Sequence, residues 1–231
     1  MDVSRRAPVV FIQYLAALAI VEGIKTYDVG YETVPVMLKW PNDIYAADPT
    51  APGEKKYVKI GGILVNSSFS GKEYLLVVGI GLNVNNAAPT TSLNALLPPR
   101  LAPMQVERVL ARILTSFETL YVRFQHAGFS ADLESRYYRH WLHTDQIITL
   151  GDDAAATVVG RGDRSGAGGS GSGGGDDGSV FRARIKGITR DWGLLLMEQL
   201  GWEDRATGRF WQLQSDGNSF DFFRGLIRRK V

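Results

Sequence analysis

The sequence predicts an α/β (α+β) chain, with a mixed or antiparallel sheet in its first part and a small β-barrel in its last. Three observations carry this expectation. Runs rich in Ile, Leu and Val at Ile60–Val65 and Tyr74–Val78 are too short for stable helices and are bounded by Gly, Ser and Asn, so they read as strands of one sheet. Two longer stretches, Pro8–Tyr27 and Pro103–His126, read as helices. Beyond Leu142 the pattern changes to short alternating strands. With 45% hydrophobic residues over 231, the chain has material for one large domain, or a medium one with a small one.

Taken in order, Pro8 suits a first helical turn. The stretch that follows is apolar nearly all round through Val9, Phe11, Ile12, Leu15, Leu18, Ile20, Val21 and Ile24. Gln13, Tyr14 and Glu22 interrupt it, which favours a core helix packed on the sheet over a membrane span. Val34–Leu38 leads into Lys39 as a strand. Pro41 forces Trp40 into extended or turn geometry, and Asn42 and Asp43 then sit in a tight turn. Asp48–Lys56, with Pro49, Pro52 and Gly53, reads as a surface loop. Gly61-Gly62 inside the next strand marks a bulge or the close approach of a ligand. Phe69-Ser70-Gly71-Lys72 reads as a hairpin turn.

Ala87–Ala102 is loop-like. Val106, Val109, Leu110, Ile113, Phe117, Leu120, Tyr121 and Phe124 keep the three/four spacing of a helix. Phe129–Leu142 reads as a further helix with Ser130 as its N-cap. The later strands are expected at Gln146–Leu150, Ala156–Val159, Val180–Ile188, Gly193–Glu198 and Arg209–Gln214, with a domain boundary near Leu142. Arg161–Ser179 is about half glycine and otherwise Ser, Asp and Arg, with the single Ala167. It cannot bury enough apolar surface to offset its ordering entropy, and reads as a disordered insertion in a hairpin, natural or engineered.

Bulk properties exclude some functions. A net charge of +2 gives no electrostatic basis for nucleic-acid binding. The absence of cysteine removes disulfides and Cys-based zinc sites. No apolar run reaches membrane-spanning length, and Met1–Arg6 lacks signal-peptide architecture, so a soluble cytoplasmic protein is expected. Arg182, Arg184 and Lys186 alternate with apolar residues, first as a solvated strand face and secondarily as a docking face for an acidic partner. His140 and His143 would share a helix face, too few ligands for a metal site. Arg161-Gly162-Asp163 and the glycosylation-type triplet Asn66-Ser67-Ser68 are chance matches in this context.

The chemistry gathers in Lys39–Asn86, where polar residues and glycines lie at strand ends and turns. Lys59 precedes a glycine-lined strand and can attract a carboxylate and a phosphate together. From spacing alone it is equally a surface lysine. Asn42 and Asp43 are ordinary turn formers by local sequence. Gly79-Ile80-Gly81 lacks the third glycine and the helix of a dinucleotide loop.

Three blocks in order, Lys39-Trp40-Pro41-Asn42-Asp43, Lys59–Val65 with Asn66-Ser67-Ser68, and Gly79–Asn85, closely resemble the catalytic module of biotin protein ligases, including the eukaryotic holocarboxylase synthetases. Tyr137–Trp141 and Asp216–Asp221 extend the resemblance over nearly the whole chain. It implies a class II aminoacyl-tRNA synthetase-like catalytic module over residues 1–142 and an SH3-like domain over 143–231. It implies ATP and biotin as substrates, with Mg2+, and the biotin carboxyl carrier domains of carboxylases as partners, without nucleic acid or membrane.

Residue by residue, the resemblance makes Lys59 the active-site lysine and Asp43 the group that receives the acceptor lysine. An aspartate is a weak base for an ammonium, so Asp43 is expected to position the amine and accept its proton only as the C–N bond forms. Biotin would meet Lys59, Gly61, Gly62, Ile63, Leu64 and Gly79. Ile63 and Leu64 point to opposite faces of a strand, so at least one is core packing. Lys39, Asn42, Gly81 and Asn83 would serve the nucleotide, with the Asn83 amide suited to an adenine edge. Lys39 and Trp40 also read as partly structural. The family's arginine- and glycine-rich clamp would lie upstream of Pro8, and Arg5-Arg6 does not match it. The expectation is therefore the C-terminal part of a larger ligase. The alternatives are a catalytically impaired fragment that only binds partners, and a lipoate ligase-like enzyme.

Overall fold

In the computed structural model, residues 8–48, 56–71, 73–86, 91–151, 156–161, 180–215, 218–221 and 224–229 are described. They form two compact units that meet in sequence between Leu142 and His143. Each unit is built on its own sheet, one antiparallel and one mixed.

In the first unit, Val9–Phe11 forms a 3-10 turn that leads into helix α1, Ile12–Lys25. Nearly every face of α1 is covered, with Leu15, Ala16, Leu18, Ala19, Ile20, Val21 and Ile24 all fully buried. Four strands follow: β1 (Val36–Lys39), β2 (Asp43–Ala47), β3 (Tyr57–Ser70) and β4 (Glu73–Leu82), in the order β1-β2-β3-β4 and all antiparallel. Strand β2 was not expected. Asp43 is its first residue, and the turn before it is shorter than the sequence implies. The β3–β4 hairpin turns through Gly71, whose φ of +66° suits glycine.

Helix α2, Val106–Ala127, starts three residues later than Pro103 because Gln105 is still extended, with φ −90° and ψ 133°. It ends at Gly128, whose N–H bonds the Phe124 carbonyl. Helix α3 covers only Ala131–Tyr138, shorter than the expected Phe129–Leu142. The difference has a tertiary cause. The His140 carbonyl accepts the Leu38 N–H at 2.7 Å and the Leu142 N–H donates to the Leu38 carbonyl at 2.9 Å. Residues after Tyr138 therefore extend the sheet at its β1 edge. Ser130 stands at the N-cap, yet its side chain makes no capping bond. His140 and His143 both lie beyond the helix and share no helical face.

Helix α1 packs on β1 and β3 on one side and on α2 on another. The α1–α2 crossing is close at Gly23: a Cβ there would lie 2.9 Å from both Cα and N of Ile113. Alanine is the better helix former, but here the obstacle is backbone. Gly23→Ala is expected to destabilise by about 2 kcal/mol through overpacking. Urea unfolding checks this, and an unchanged or raised midpoint would show that the crossing yields.

In the second unit the described strands are β5 (Ile147–Leu150), β6 (Ala156–Arg161), β7 (Phe181–Ile188), β8 (Leu195–Leu200), β9 (Ala206–Leu213), β10 (Asn218–Asp221) and β11 (Leu226–Arg229). They form one sheet in the order β10-β11-β5-β7-β8-β9-β6, with β11 and β5 parallel and the other pairs antiparallel. Ile148, Leu150, Ile185, Leu195, Met197, Leu213 and Ile227 form its core. Strands β10 and β11 were not expected. Residues 162–179 of the glycine-rich insertion lie outside the described residues, while Arg161 ends β6. The insertion does not close a hairpin, because β6 pairs with β9 and not with β7. On β7, Arg182 and Lys186 project outward and pair with Asp204 and Asp145.

Candidate functional site

The short turn between β1 and β2 brings Lys39 and Asp43 into direct register. Trp40 anchors this turn: it is 2% exposed, and its indole N–H donates to the Tyr14 hydroxyl of α1 at 2.9 Å. The Trp40–Pro41 peptide is cis. Asn42 ties the turn to β3 twice. Its side-chain amide donates to the Ile63 carbonyl at 2.7 Å, and its own carbonyl accepts the Ile63 N–H at 2.9 Å.

Strand β3 is bulged opposite Ile44 and Tyr45. Tyr45 pairs with Lys59 and Ile44 with Gly61, which leaves Ile60 as the extra residue. In a regular strand, Lys59 and Gly62 would point to opposite faces, because their spacing is odd. The bulge resets this parity. Cross-strand partners share a face, so Lys39, Asp43, Gly62 and Gly81 form one row across the sheet. Tyr45 and Lys59 lie beside that row, and Leu64 and Gly79 continue it. The opposite face carries Leu38, Ile44 and Ile63, which are 1%, 0% and 3% exposed.

Two residues expected to line a biotin pocket therefore belong elsewhere. Ile63 is a core side chain, and Leu64, 63% exposed, takes the open face. Gly61 faces the core side with Ile44 and Leu82. A Cβ on Gly61 would come within 2.5 Å of the Gly81 carbonyl oxygen, so glycine there is a packing requirement. Gly62 is different. A Cβ would meet only ordinary contacts, at 3.7 Å from Asp43 Oδ1 and 3.8 Å from Lys59 Cε. Gly79 and Gly81 are similarly open, with nearest atoms at 3.6 Å and 4.0 Å.

Asp43 is the hub of the row. One carboxylate oxygen lies 2.5 Å from Lys59 Nζ and the other 3.1 Å from Lys39 Nζ. Two ammonium groups and one carboxylate leave a net positive charge beside glycine-lined backbone. That arrangement attracts anions such as phosphates and carboxylates. Tyr45 had not been singled out, although its place two residues after Asp43 puts it on the same face; its ring centroid is 6.0 Å from Lys39 Nζ.

Asn83 follows β4 and organises the next loop. Its N–H bonds the Ile60 carbonyl at 2.8 Å, its carbonyl accepts the Leu93 N–H at 2.8 Å, and its amide donates to the Thr91 carbonyl at 3.3 Å. One amide N–H and the amide oxygen remain beyond that donation. Among the described residues, no three His, Cys, Asp or Glu groups converge as metal ligands. His143 is fully buried and bonded to Gln146, with its ring stacked on Phe220. Burial, with Lys25, Arg139 and Arg136 nearby, pushes the His140 imidazole down to about 4. Among the described residues, no helix is long and apolar enough to cross a membrane.

Comparison with known proteins adds relatives to this geometry. The model of the biotin/lipoate A/B protein ligase family matches residues 3–83. A biotin–protein ligase of Schizosaccharomyces pombe is 38% identical over 97% of this chain and 33% of its own length. Biotin–protein ligase 2 of Arabidopsis thaliana is 34% identical over the full chain and 60% of its own. The Homo sapiens biotin–protein ligase is 32% identical over 99% of this chain and 26% of its own. The chain thus spans between about a quarter and three fifths of these relatives. Among solved structures, a point mutant of the Aquifex aeolicus biotin protein ligase in complex with biotin superposes with TM-score 0.53. It is 18% identical, and the match covers 98% of this chain and 74% of that one. The same ligase in complex with biotin and ATP gives TM-score 0.50 at 18% identity, covering 93% and 76%. At these identities the solved structures speak for a shared fold.

Proposed function

We propose that the chain belongs to the biotin/lipoate A/B protein ligase family, whose model matches residues 3–83, and that it carries the catalytic chemistry of a biotin–protein ligase. The observation that carries this reading is the Asp43 hub with its two lysines on an open, glycine-lined sheet face. In the first step a biotin carboxylate oxygen attacks the α-phosphorus of ATP. The bond from that phosphorus to the bridging oxygen breaks, and biotinyl-5′-AMP and pyrophosphate form. In the second step a lysine amine of a carboxyl carrier domain attacks the acyl carbon. AMP leaves, and the amine gives up its proton.

Lys59 acts in the first step. Its half-exposed ammonium reaches the space beside Gly62, where carboxylate and phosphate would meet. Gly62, Gly79 and Leu64 would border biotin, and Gly81, Asn42 and Asn83 the nucleotide. Asp43 would orient the incoming amine in the second step. Mg2+ would accompany the nucleotide and neutralise its phosphates, with most of its ligands being phosphate oxygens and water. Asp43 is the carboxylate of the row, and its two ammonium partners outweigh its charge.

On this reading residues 1–142 are a class II aminoacyl-tRNA synthetase-like catalytic domain and residues 143–231 an SH3-like one. The partners are carrier domains of biotin-dependent carboxylases, and the location is the cytoplasm. The test is pyrophosphate release with ATP and either biotin or lipoate. Release with biotin alone supports the proposal. Release with lipoate in preference, or with neither, overturns it.

Asn83→Ala separates the two substrate sites. Calorimetry should show ATP binding weakened roughly tenfold, the scale of one or two lost hydrogen bonds, with biotin affinity within about twofold. Equal loss of both ligands in a folded protein would mean that Asn83 serves only its loop.

A further inference from the structure

Two ammonium groups share the Asp43 carboxylate, and they are not equivalent. The Lys39 side chain is 10% exposed and that of Lys59 54%. Backbone geometry holds the first pair, since Lys39 and Asp43 are direct partners across the β1–β2 turn. Leu38, just before Lys39, is bonded through both its N–H and its carbonyl to the residues after α3. Lys59 instead reaches Asp43 from the bulged strand, with its stem passing Gly62, where a side chain is missing.

Resting on the assignment of Lys59 to adenylation, we infer that Asp43 is the resting dock of the Lys59 ammonium and that Lys39 is the positioning residue that keeps this dock weak. A carboxylate between two cations holds each less firmly than it would hold one, because the cations repel each other. Lys59 is therefore free to move to the reacting phosphate and carboxylate when they arrive. Lys39 then remains on Asp43, so that no partly covered carboxylate is left without a counter-charge. Lys39 thus acts through Asp43 and not on the nucleotide. Because Lys59 is half exposed, solvent screening limits the effect to several-fold.

The experiment uses Lys39→Met and Lys39→Arg, each with Asp43 intact and with Asp43→Asn. The first readout needs no activity: the rate at which acetic anhydride acetylates Lys59 in the ligand-free protein, followed by peptide mass spectrometry. With Asp43 present, Lys39→Met should slow labelling of Lys59 roughly threefold or more, while Lys39→Arg leaves it within about twofold. With Asp43→Asn, Lys59 should label faster than in the wild type, and the residue at 39 should matter less, because the two ammonium groups are no longer drawn to one carboxylate. The second readout is biotin-dependent pyrophosphate release. Lys39→Met should lower kcat roughly three- to tenfold with KM for ATP within about twofold, and this loss should vanish in the Asp43→Asn background.

Labelling of Lys59 that ignores Lys39 while Asp43 is present would overturn the inference. So would an equal loss of kcat in both backgrounds, the sign of direct contact with the nucleotide. If Lys39→Met fails to fold, Asp43→Asn alone decides, because unchanged Lys59 labelling there removes the dock. If even the wild type releases no pyrophosphate, the ligase reading fails, while the labelling results still judge the dock.

Discussion

Lys59→Ala is expected to slow biotin-dependent pyrophosphate release roughly a hundredfold, with the melting temperature within a few degrees of wild type. The first half follows from where charge develops. As the biotin carboxylate meets the α-phosphate, negative charge builds on bridging and non-bridging oxygens, and the Lys59 ammonium, once it has left Asp43, stabilises that state more than the ground state. The second half follows from where Lys59 sits. Its side chain is half exposed, and β3 is held at this point by Ile60 and Ile63, which are 0% and 3% exposed. Its ion pair with Asp43 adds little to stability at such exposure. Lys59→Arg should recover only part of the rate, since a planar guanidinium is larger and directs its donors differently. The measurement is pyrophosphate release at saturating biotin and ATP, beside thermal unfolding followed by circular dichroism. An unimpaired rate would remove Lys59 from the mechanism.

Gly61→Ala and Gly62→Ala, adjacent and chemically identical changes, are expected to fail in different ways. At Gly61 the new methyl would lie 2.5 Å from the Gly81 carbonyl oxygen and 3.3 Å from Leu82 Cα. Both obstacles are backbone of the paired strand, so β3 and β4 must separate locally. A cost of about 3 kcal/mol is expected, equivalent to a melting temperature lower by roughly 10 °C. At Gly62 the methyl has room, and alanine even restricts the unfolded chain more than glycine does. Stability should stay within about 1 kcal/mol. The methyl would instead stand beside Asp43 and Lys59 on the open face. The KM for biotin should rise roughly tenfold, the scale of one misplaced contact in a close-fitting site. Thermal unfolding and steady-state kinetics on the two variants check this. A stable Gly61→Ala protein, or a Gly62→Ala protein with wild-type KM, would reverse the assignment of faces.

The residue patterns carried much of this molecule. The three/four spacing from Val106 to Phe124 marks α2 because one helix face must meet α1. The covered α1 is announced by apolar residues on all sides, as a helix between a sheet and another helix requires. Strands β3 and β4 follow from runs of Ile, Leu and Val around a glycine turn. What was missed was held by distant partners. Strand β2 is polar at its start and gains its place by pairing with β1 and β3. Helix α3 stops early because Leu38 offers hydrogen bonds to the segment beyond it. Strand β11 gains its place by parallel pairing with the distant β5, and β10 by pairing with β11.

The sequence by itself determined the chemical inventory: a Lys-Trp-Pro-Asn-Asp turn, a lysine before paired glycines, and a glycine-spaced strand ending in Asn83. These side chains and turn residues act through local chemistry that the chain order states directly. Only the tertiary structure decided which of them share a face. Side-chain direction in a strand is a matter of parity, and the extra residue at Ile60 reverses that parity between Lys59 and Gly62. The meeting of Asp43 with a lysine four residues before it and another on β3 is likewise set by cross-strand register. Register depends on which strands pair and where a bulge falls, and these are settled by packing across the whole sheet.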